Sequence, residues 1–231
     1  MLFFAYYLFN LKSKKNKFGF LLSTLTTLLT FSRGAFIAIF LVIIIFFLMN
    51  NPLKIAKKIW WVGIFLSFSN SMIYSVSGIN MYNITIKRFS YLEVDGGSGR
   101  LDLWLKGLEF FSSNPILGIG IFNFPEYHLN YYGVRKFLHN TILEILIESG
   151  FIGFSIYLIF LILILRSFVK YNILRKSPFL FASFIGFIGL MLSLSLIINE
   201  AFILFLAIYW RYLNESYKPT KVLRVQTMEE I

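Results

Sequence analysis

The apolar positions of this chain fall in long continuous runs rather than in short alternating stretches. Residues 34–53, 59–86 and 177–199 each contain no charged side chain. Every one of these runs is at least as long as the ~20 residues that a helix needs to cross a ~30 Å hydrocarbon core. Because the two-residue alternation of a β-barrel is absent, the pattern predicts an all-α fold, a polytopic membrane helical bundle.

Basic residues separate these runs in four clusters. The clusters are Lys12, Lys14, Lys15 and Lys17; Lys54, Lys57 and Lys58; Arg166, Lys170, Arg175 and Lys176; and Arg211, Lys218, Lys221 and Arg224. Loops that stay in the cytoplasm are enriched in Lys and Arg, so we assign all four clusters to that side. The resulting topology has about six transmembrane helices, preceded by a truncated N-terminal helix over residues 1–11.

The run over residues 18–49 carries a charge only at Arg33. Basic clusters flank it on both sides, which predicts a hairpin that turns near Arg33 on the external side. Each arm has ~15 residues, or ~23 Å at 1.5 Å per residue. We therefore expect a turn recessed in a protein crevice, where Arg33 either binds a ligand, pairs with an acid or snorkels to the surface.

Residues 77–138 form one long external loop in this topology, and its acidic and basic residues nearly balance. Within it, apolar residues recur at helical spacing: Leu101, Trp104, Leu105, Leu108 and Phe111. This spacing predicts a short amphipathic helix that lies on the membrane or over the helix bundle.

The same pattern suggests a division into a truncated helix with a cytoplasmic loop (1–17), a membrane domain (18–213) and a cytoplasmic tail (214–231). The first 11 residues supply only ~16 Å of helix, about half a bilayer. We therefore expect that N-terminal helices or a partner subunit are missing, and that the isolated chain is inactive.

The composition of the chain restricts the kinds of binding site and cross-link that it can form. Hydrophobic residues make up 58% of the chain and charged residues only 14%, and the net charge of +11 is spread over separate loops. A nucleic-acid binder would instead gather basic residues on one folded face. Cysteine is absent and histidine occurs only at His128 and His139, which excludes disulfides and disfavours a zinc site.

Residues 139–150 carry the densest polar signal. Asn140, Glu144 and Glu148 are spaced by four, which places them on one face of a helix that enters the membrane. Glu148 would lie deep enough to need a partner, and Arg33 is the candidate. His139 at the helix N-terminus would be held neutral, which suits a general base. Alternatively, His139 or Asn140 merely caps the helix.

Three blocks of sequence together resemble the O-antigen ligase and O-antigen polymerase family, in particular its C-terminal catalytic portion. The first is Ser32-Arg33-Gly34-Ala35, and the second is Gly99-Arg100 with Trp104 and the following Asn114-Pro115-Ile116-Leu117-Gly118-Ile119-Gly120. The third is His139-Asn140 with Leu143-Glu144, Glu148, Gly150 and Gly153. The blocks occur in the family's order, with the long external loop between the first and the third.

The resemblance implies a metal-independent membrane glycosyltransferase that uses no cofactor. Its donor would be a glycan on undecaprenyl diphosphate, and its acceptor lipid A-core or another lipid-linked glycan, at the outer face of the bacterial inner membrane. By the same resemblance, Arg33 and Arg100 would bind the diphosphate and His139 would deprotonate the acceptor. Asn140, Glu144, Glu148 and Trp104 would support them.

Several alternatives stay open at this point. Ligases and polymerases share the three blocks, so the acceptor is undetermined. A transporter or flippase of lipid-linked oligosaccharide would also explain buried Arg and Glu residues in a polytopic bundle. A structural membrane subunit, or an inactive fragment, is a further alternative.

Overall fold

The computed structural model describes residues 1–30, 32–50, 99–195 and 199–217, with isolated positions at 64, 67, 71, 74, 75, 78 and 83. Its helices are α1 (Leu2–Phe9), α2 (Lys14–Leu29), α3 (Arg33–Met49), α4 (Arg100–Ser113), α5 (Phe124–Tyr132), α6 (Thr141–Lys170), α7 (Ile173–Lys176), α8 (Pro178–Met191) and α9 (Glu200–Tyr217). No strand occurs within these ranges, and the all-α prediction is confirmed.

The structure supports the predicted membrane crossings only in part. Among the described residues, α6 is the one helix that is long and apolar enough to cross a membrane, and Gly34–Met49 and Pro178–Met191 are shorter apolar helices. The crossing predicted between residues 59 and 76 lies outside the continuously described ranges. The six-helix topology therefore remains a prediction.

The predicted break near Arg33 is present. Helix α2 ends at Leu29 and α3 begins at Arg33, with Ser32 as the N-cap residue. The Ser32 hydroxyl accepts a hydrogen bond from the Ala35 backbone N–H at 3.4 Å, which satisfies one of the unpaired donors of a helix start. Arg33 is thus placed at the first residue of α3.

Helix α6 is kinked at Gly150, which the sequence pattern did not predict. Gly150 adopts φ 64° and ψ −169°, a backbone conformation that side chains strongly disfavour. The kink divides the helix into an outer part, residues 141–149, and an apolar part, residues 151–170. At 1.5 Å per residue the apolar part is ~30 Å long, which is still the thickness of a bilayer core.

Two apolar clusters hold these helices together. The larger one joins α1, α2, α3, α8, α9 and the apolar part of α6, around fully buried side chains such as Phe168, Phe184 and Phe205. The smaller one joins α4, α5 and the outer part of α6 around Phe110, Ile119, Phe124, Leu138 and Ile147. We call residues 99–138 the external segment, after the predicted topology. The second cluster gives this segment its own packed core against α6.

Helix α4 packs against α6 through residues other than most of its predicted apolar face, for which the membrane was one of the two predicted neighbours. The buried residues are Leu103, Gly107 and Phe110, whereas Leu101, Leu105 and Leu108 are exposed. Position 107 decides this arrangement, because a Cβ there would lie 2.5 Å from Ile147 Cδ1. The glycine lets α4 approach α6 closely, and a second apolar face is left on the outside.

Candidate functional site

The residues of the third sequence block lie where the external segment joins α6. His139 has φ 51°, which is uncommon for a residue with a side chain, and directly precedes the N-cap residue Asn140. The Asn140 side-chain oxygen accepts from the backbone N–H groups of Ile142 at 3.1 Å and Leu143 at 3.2 Å. Asn140 therefore caps α6, and the His139 side chain is not needed for that purpose.

Trp104 fixes the chain just before His139. Its indole Nε1 donates a hydrogen bond to the carbonyl oxygen of Leu138 at 3.0 Å, and the Leu138 side chain is fully buried. An indole N–H in a packed environment usually needs such an acceptor. Between this anchor and the Asn140 cap, the backbone of His139 is held on both sides while its side chain stays exposed.

Arg100 lies close enough to His139 to act on it electrostatically. Partial burial is the main cause that lowers the pKa of His139 from its usual value, and the positive charge of Arg100 lowers it further. Both causes favour the neutral imidazole. The second and third sequence blocks, 39 positions apart in the chain, thus meet at this site.

The segment after α8 joins the same end of the bundle. Thr141 at the start of α6 donates to the Leu194 carbonyl oxygen from its backbone N–H at 3.2 Å and from its hydroxyl at 2.6 Å. Beside it, a Cβ added at Gly34 would collide with the Ser193 hydroxyl. The start of α3, which carries Arg33, therefore abuts residues 193–195, and these residues abut the start of α6.

Glu144 lies one helical turn below Asn140 in this contact region. Its carboxylate is buried and hydrogen-bonds with the Ser195 side chain, while its Oε2 atom has no hydrogen-bond partner. The Ser193 hydroxyl is likewise buried without a partner. Glu144 and Ser193 thus place two buried polar side chains beside the starts of α3 and α6.

Glu148 has two backbone partners that the sequence did not indicate. Its carboxylate oxygens accept hydrogen bonds from the backbone N–H groups of Phe122 at 2.8 Å and Phe124 at 3.1 Å. These bonds attach Glu148 to the loop between α4 and α5, and the predicted pairing with the Arg33 side chain lies outside the described residues. Charge-assisted bonds of this kind are stronger than neutral ones, so Glu148 ties the external segment to α6.

The Asn114–Gly120 block completes that attachment with its backbone. The N–H groups of Ile119 and Gly120 donate to the carbonyl oxygens of Ile147 and Glu148 at 3.1 and 2.9 Å. In return, the N–H of Phe151 donates to Pro115 at 2.9 Å. These bonds satisfy backbone groups that the kink in α6 would otherwise leave unpaired.

The glycines of this block serve the same contact. A Cβ at Gly118 would lie 2.4 Å from the Glu148 carbonyl oxygen, and one at Gly150 would lie 2.3 Å from that of Ile116. Glycine is therefore required at both positions for the two backbones to meet.

Sequence reasoning missed Thr141 and residues 193–195 as parts of this site. Thr141, Ser193 and Ser195 carry hydroxyl groups in otherwise apolar surroundings, which is a weak signal because serine and threonine are common in membrane helices. His128, which gave no sequence signal, is buried on α5 and hydrogen-bonds through Nδ1 with the Val134 carbonyl oxygen. Within the described part of the chain, no group of three or more acidic or histidine side chains could hold a metal ion.

Comparison with known proteins gives one match. Residues 18–158, more than half of the chain, match a protein-family model described as O-antigen ligase. No curated protein and no solved structure matches the chain. The matched range includes Arg33, Arg100 and His139, together with the interlocked turn and kink.

Proposed function

The chain belongs to the O-antigen ligase family, and from this premise we propose that it is a membrane glycosyltransferase of surface polysaccharide biosynthesis. It takes glycan from an undecaprenyl diphosphate donor and moves it onto lipid A-core or another lipid-linked glycan. The reaction takes place at the outer face of the bacterial inner membrane. The apolar part of α6 supports the membrane location.

The observation that carries this proposal is that His139, just before α6, lies within electrostatic reach of Arg100 at the start of α4. Burial and Arg100 both lower the pKa of His139, so the imidazole is free to accept a proton near neutral pH. A hydroxyl group of the acceptor is a suitable proton source. The exposed position of His139 leaves room for that substrate.

The reaction balances with these residues alone. The acceptor oxygen attacks the anomeric carbon of the donor glycan, and its proton passes to the His139 imidazole. The bond between that carbon and the diphosphate oxygen breaks, and the leaving diphosphate gains negative charge. The guanidinium groups of Arg33 and Arg100 bind the diphosphate and stabilise this charge, which removes the need for a metal ion.

The test is transfer by the purified chain, reconstituted in liposomes with lipid-linked donor and acceptor. His139→Ala should abolish transfer and leave donor binding largely intact, because the base acts on the acceptor.

Arg33→Lys and Arg100→Lys should weaken donor binding, since an ammonium group cannot make the two-point contact of a guanidinium. Asn130→Ala, at an exposed position on α5, is the control and should behave as the unmodified chain.

Near-normal turnover by His139→Ala would refute the general base. Donor that crosses the bilayer without any transfer would favour a transporter or flippase instead. If the purified chain alone shows no transfer, the same variants are compared in membranes isolated from cells that produce the protein. In cells that lack the protein, a glycan ladder reduced to one repeat would indicate a polymerase, and unligated lipid-linked polymer a ligase.

A further inference from the structure

The external segment is oriented so that one of its turns points towards the membrane. Helix α4 runs in the same direction as the outer part of α6. At its start Arg100 lies near His139, and near its end the Phe111 ring lies 5.1 Å from the Phe151 ring. Because Phe151 begins the apolar part of α6, the turn that follows α4 is, among residues 99–138, the part nearest to the lipid.

This turn, residues 115–122, has the composition of a membrane-inserted element. No charged residue occurs between Glu109 and Glu126. The turn exposes large apolar side chains to a high degree: 64% for Ile116, 72% for Leu117 and 64% for Ile121. Contiguous exposed apolar surface of this kind marks a contact with another molecule or with lipid.

Backbone hydrogen bonds set the height of the turn. The N–H groups of Phe151 and Ile152 donate to the carbonyl oxygens of Pro115 and Ile116 at 2.9 and 3.3 Å. Phe151 and Ile152 are themselves exposed, and exposed apolar side chains continue down residues 151–170. The apolar surface of the turn is therefore continuous with the apolar surface that faces the bilayer.

Phe122 shows that the turn is held in this form. It has φ 62° although it is not glycine, a conformation that persists only where its surroundings impose it. Its N–H donates to Glu148 at 2.8 Å, and its side chain is exposed. Aromatic residues are enriched at the boundary between lipid and water, where this ring would lie.

We propose that residues 115–122 insert into the outer leaflet of the membrane and that lipid acyl chains cover Ile116, Leu117 and Ile121. This inference rests on the membrane crossing by residues 151–170 and does not depend on the transfer reaction. The outer part of α6 is nine residues long, or ~13 Å. The site around His139 therefore opens just above the lipid headgroups, where a lipid-anchored substrate can reach it without leaving the bilayer.

The absence of cysteine from the chain permits a direct test with single nitroxide labels. Leu117→Cys and Ile116→Cys place the label on the turn, and both side chains are exposed. Ile156→Cys marks the exposed surface of the apolar part of α6, and Asn130→Cys marks the opposite end of α5. The full chain is reconstituted in liposomes of phosphatidylethanolamine and phosphatidylglycerol, and collisions with oxygen and with a water-soluble nickel chelate are measured.

Labels at positions 117 and 116 should collide more with oxygen than with nickel, as at position 156, whereas the label at position 130 should show the reverse. Preferential collision with nickel at both turn positions would place the turn in water and overturn the proposal. Protection from both reagents would mean that a second copy or another segment of this chain covers the turn, and would overturn it as well. These collision measurements do not require transfer activity, so a labelled variant that no longer transfers glycan still tests the proposal.

Discussion

His139 is a residue whose position is set almost entirely by its neighbours. Trp104 holds the carbonyl of Leu138, and Asn140 caps α6, so the intervening residue has little backbone freedom and adopts a positive φ. For the proposed general base, such a placement limits the conformations that it must lose when the substrate binds. The proposed reaction then depends on the protonation of the imidazole.

This leads to a prediction about pH. A base works in its neutral form, so kcat/KM should rise with pH through the pKa of His139 and level off above it. Arg100→Gln removes one of the two causes that lower this pKa, so the acid limb of the profile should move to higher pH. Burial, the larger cause, remains and limits the movement. The measurement is kcat/KM for the donor against pH, which reports the protonation of the protein without substrate.

Lys136→Gln provides the control for that experiment, because it removes a positive charge three positions before His139 in the chain, whereas Arg100 is the charge that lowers the pKa of His139. Its acid limb should coincide with that of the unmodified chain. An acid limb that stayed fixed in Arg100→Gln, or moved to lower pH, would show that Arg100 does not tune the base.

Among the elements, the kinked α6 and the turn after α4 form a single structural unit. Each supplies backbone hydrogen bonds that the other lacks, and Glu148 reinforces them with its side chain. The outer part of α6 is thus supported by the external segment rather than by its own helical hydrogen bonds alone. Disturbing this unit should destabilise the site without touching its catalytic residues.

Glu148→Gln tests this expectation. The amide retains one acceptor oxygen, so one of the Phe122 and Phe124 N–H groups would lose its partner. A buried unsatisfied donor costs about 1–3 kcal/mol, and we expect thermal unfolding in detergent at a clearly lower temperature. Glu109→Gln, the same substitution at an exposed position that accepts from the Tyr132 hydroxyl, should change stability by less than ~0.5 kcal/mol. Equal melting temperatures for the two variants would disprove the role of Glu148.

The sequence predicted the elements better than their contacts. It predicted the helix break at Arg33 and the amphipathic helix at Arg100 because charge, glycine and apolar spacing are local signals. It did not indicate the backbone partners of Glu148, since N–H groups 24 and 26 positions away leave no trace in side-chain patterns.

The buried face of α4 illustrates a second limit. Two sets of apolar residues occur at helical spacing on this helix, and both look equally suited to packing. The small size of Gly107 determines which set approaches α6. The sequence pattern gives the period of a face but does not say which face fits its neighbour.

At the scale of the whole molecule, the starts of α3, α4 and α6 lie at one end of the structure. The described basic clusters lie away from this end, at the start of α2 and around the end of α6. If the positive-inside rule governs orientation, the site faces outward.

Cysteine labelling tests the orientation in intact spheroplasts. Asn130→Cys should react with an impermeant thiol reagent, whereas Lys176→Cys should react only after the membrane is permeabilised. Both positions are exposed in the structure, so accessibility from the two sides is compared without a difference in burial. The reverse pattern would place the site in the cytoplasm and remove the basis for the proposed reaction.

The contact between Thr141 and Leu194 also has a consequence for biogenesis. A ribosome delivers the arginine-bearing start of α3 first, the external segment with Arg100 next, and residues 193–195 more than 50 positions after His139. Trp104 can bind the carbonyl of Leu138 only after residue 138 has been added, and Gly118 can pack against Gly150 only after residue 150 has been added. The parts of the site that are made first therefore stay partly unpaired while the following residues are translated. The contacts around Thr141 form only after residues 193–195 have been added.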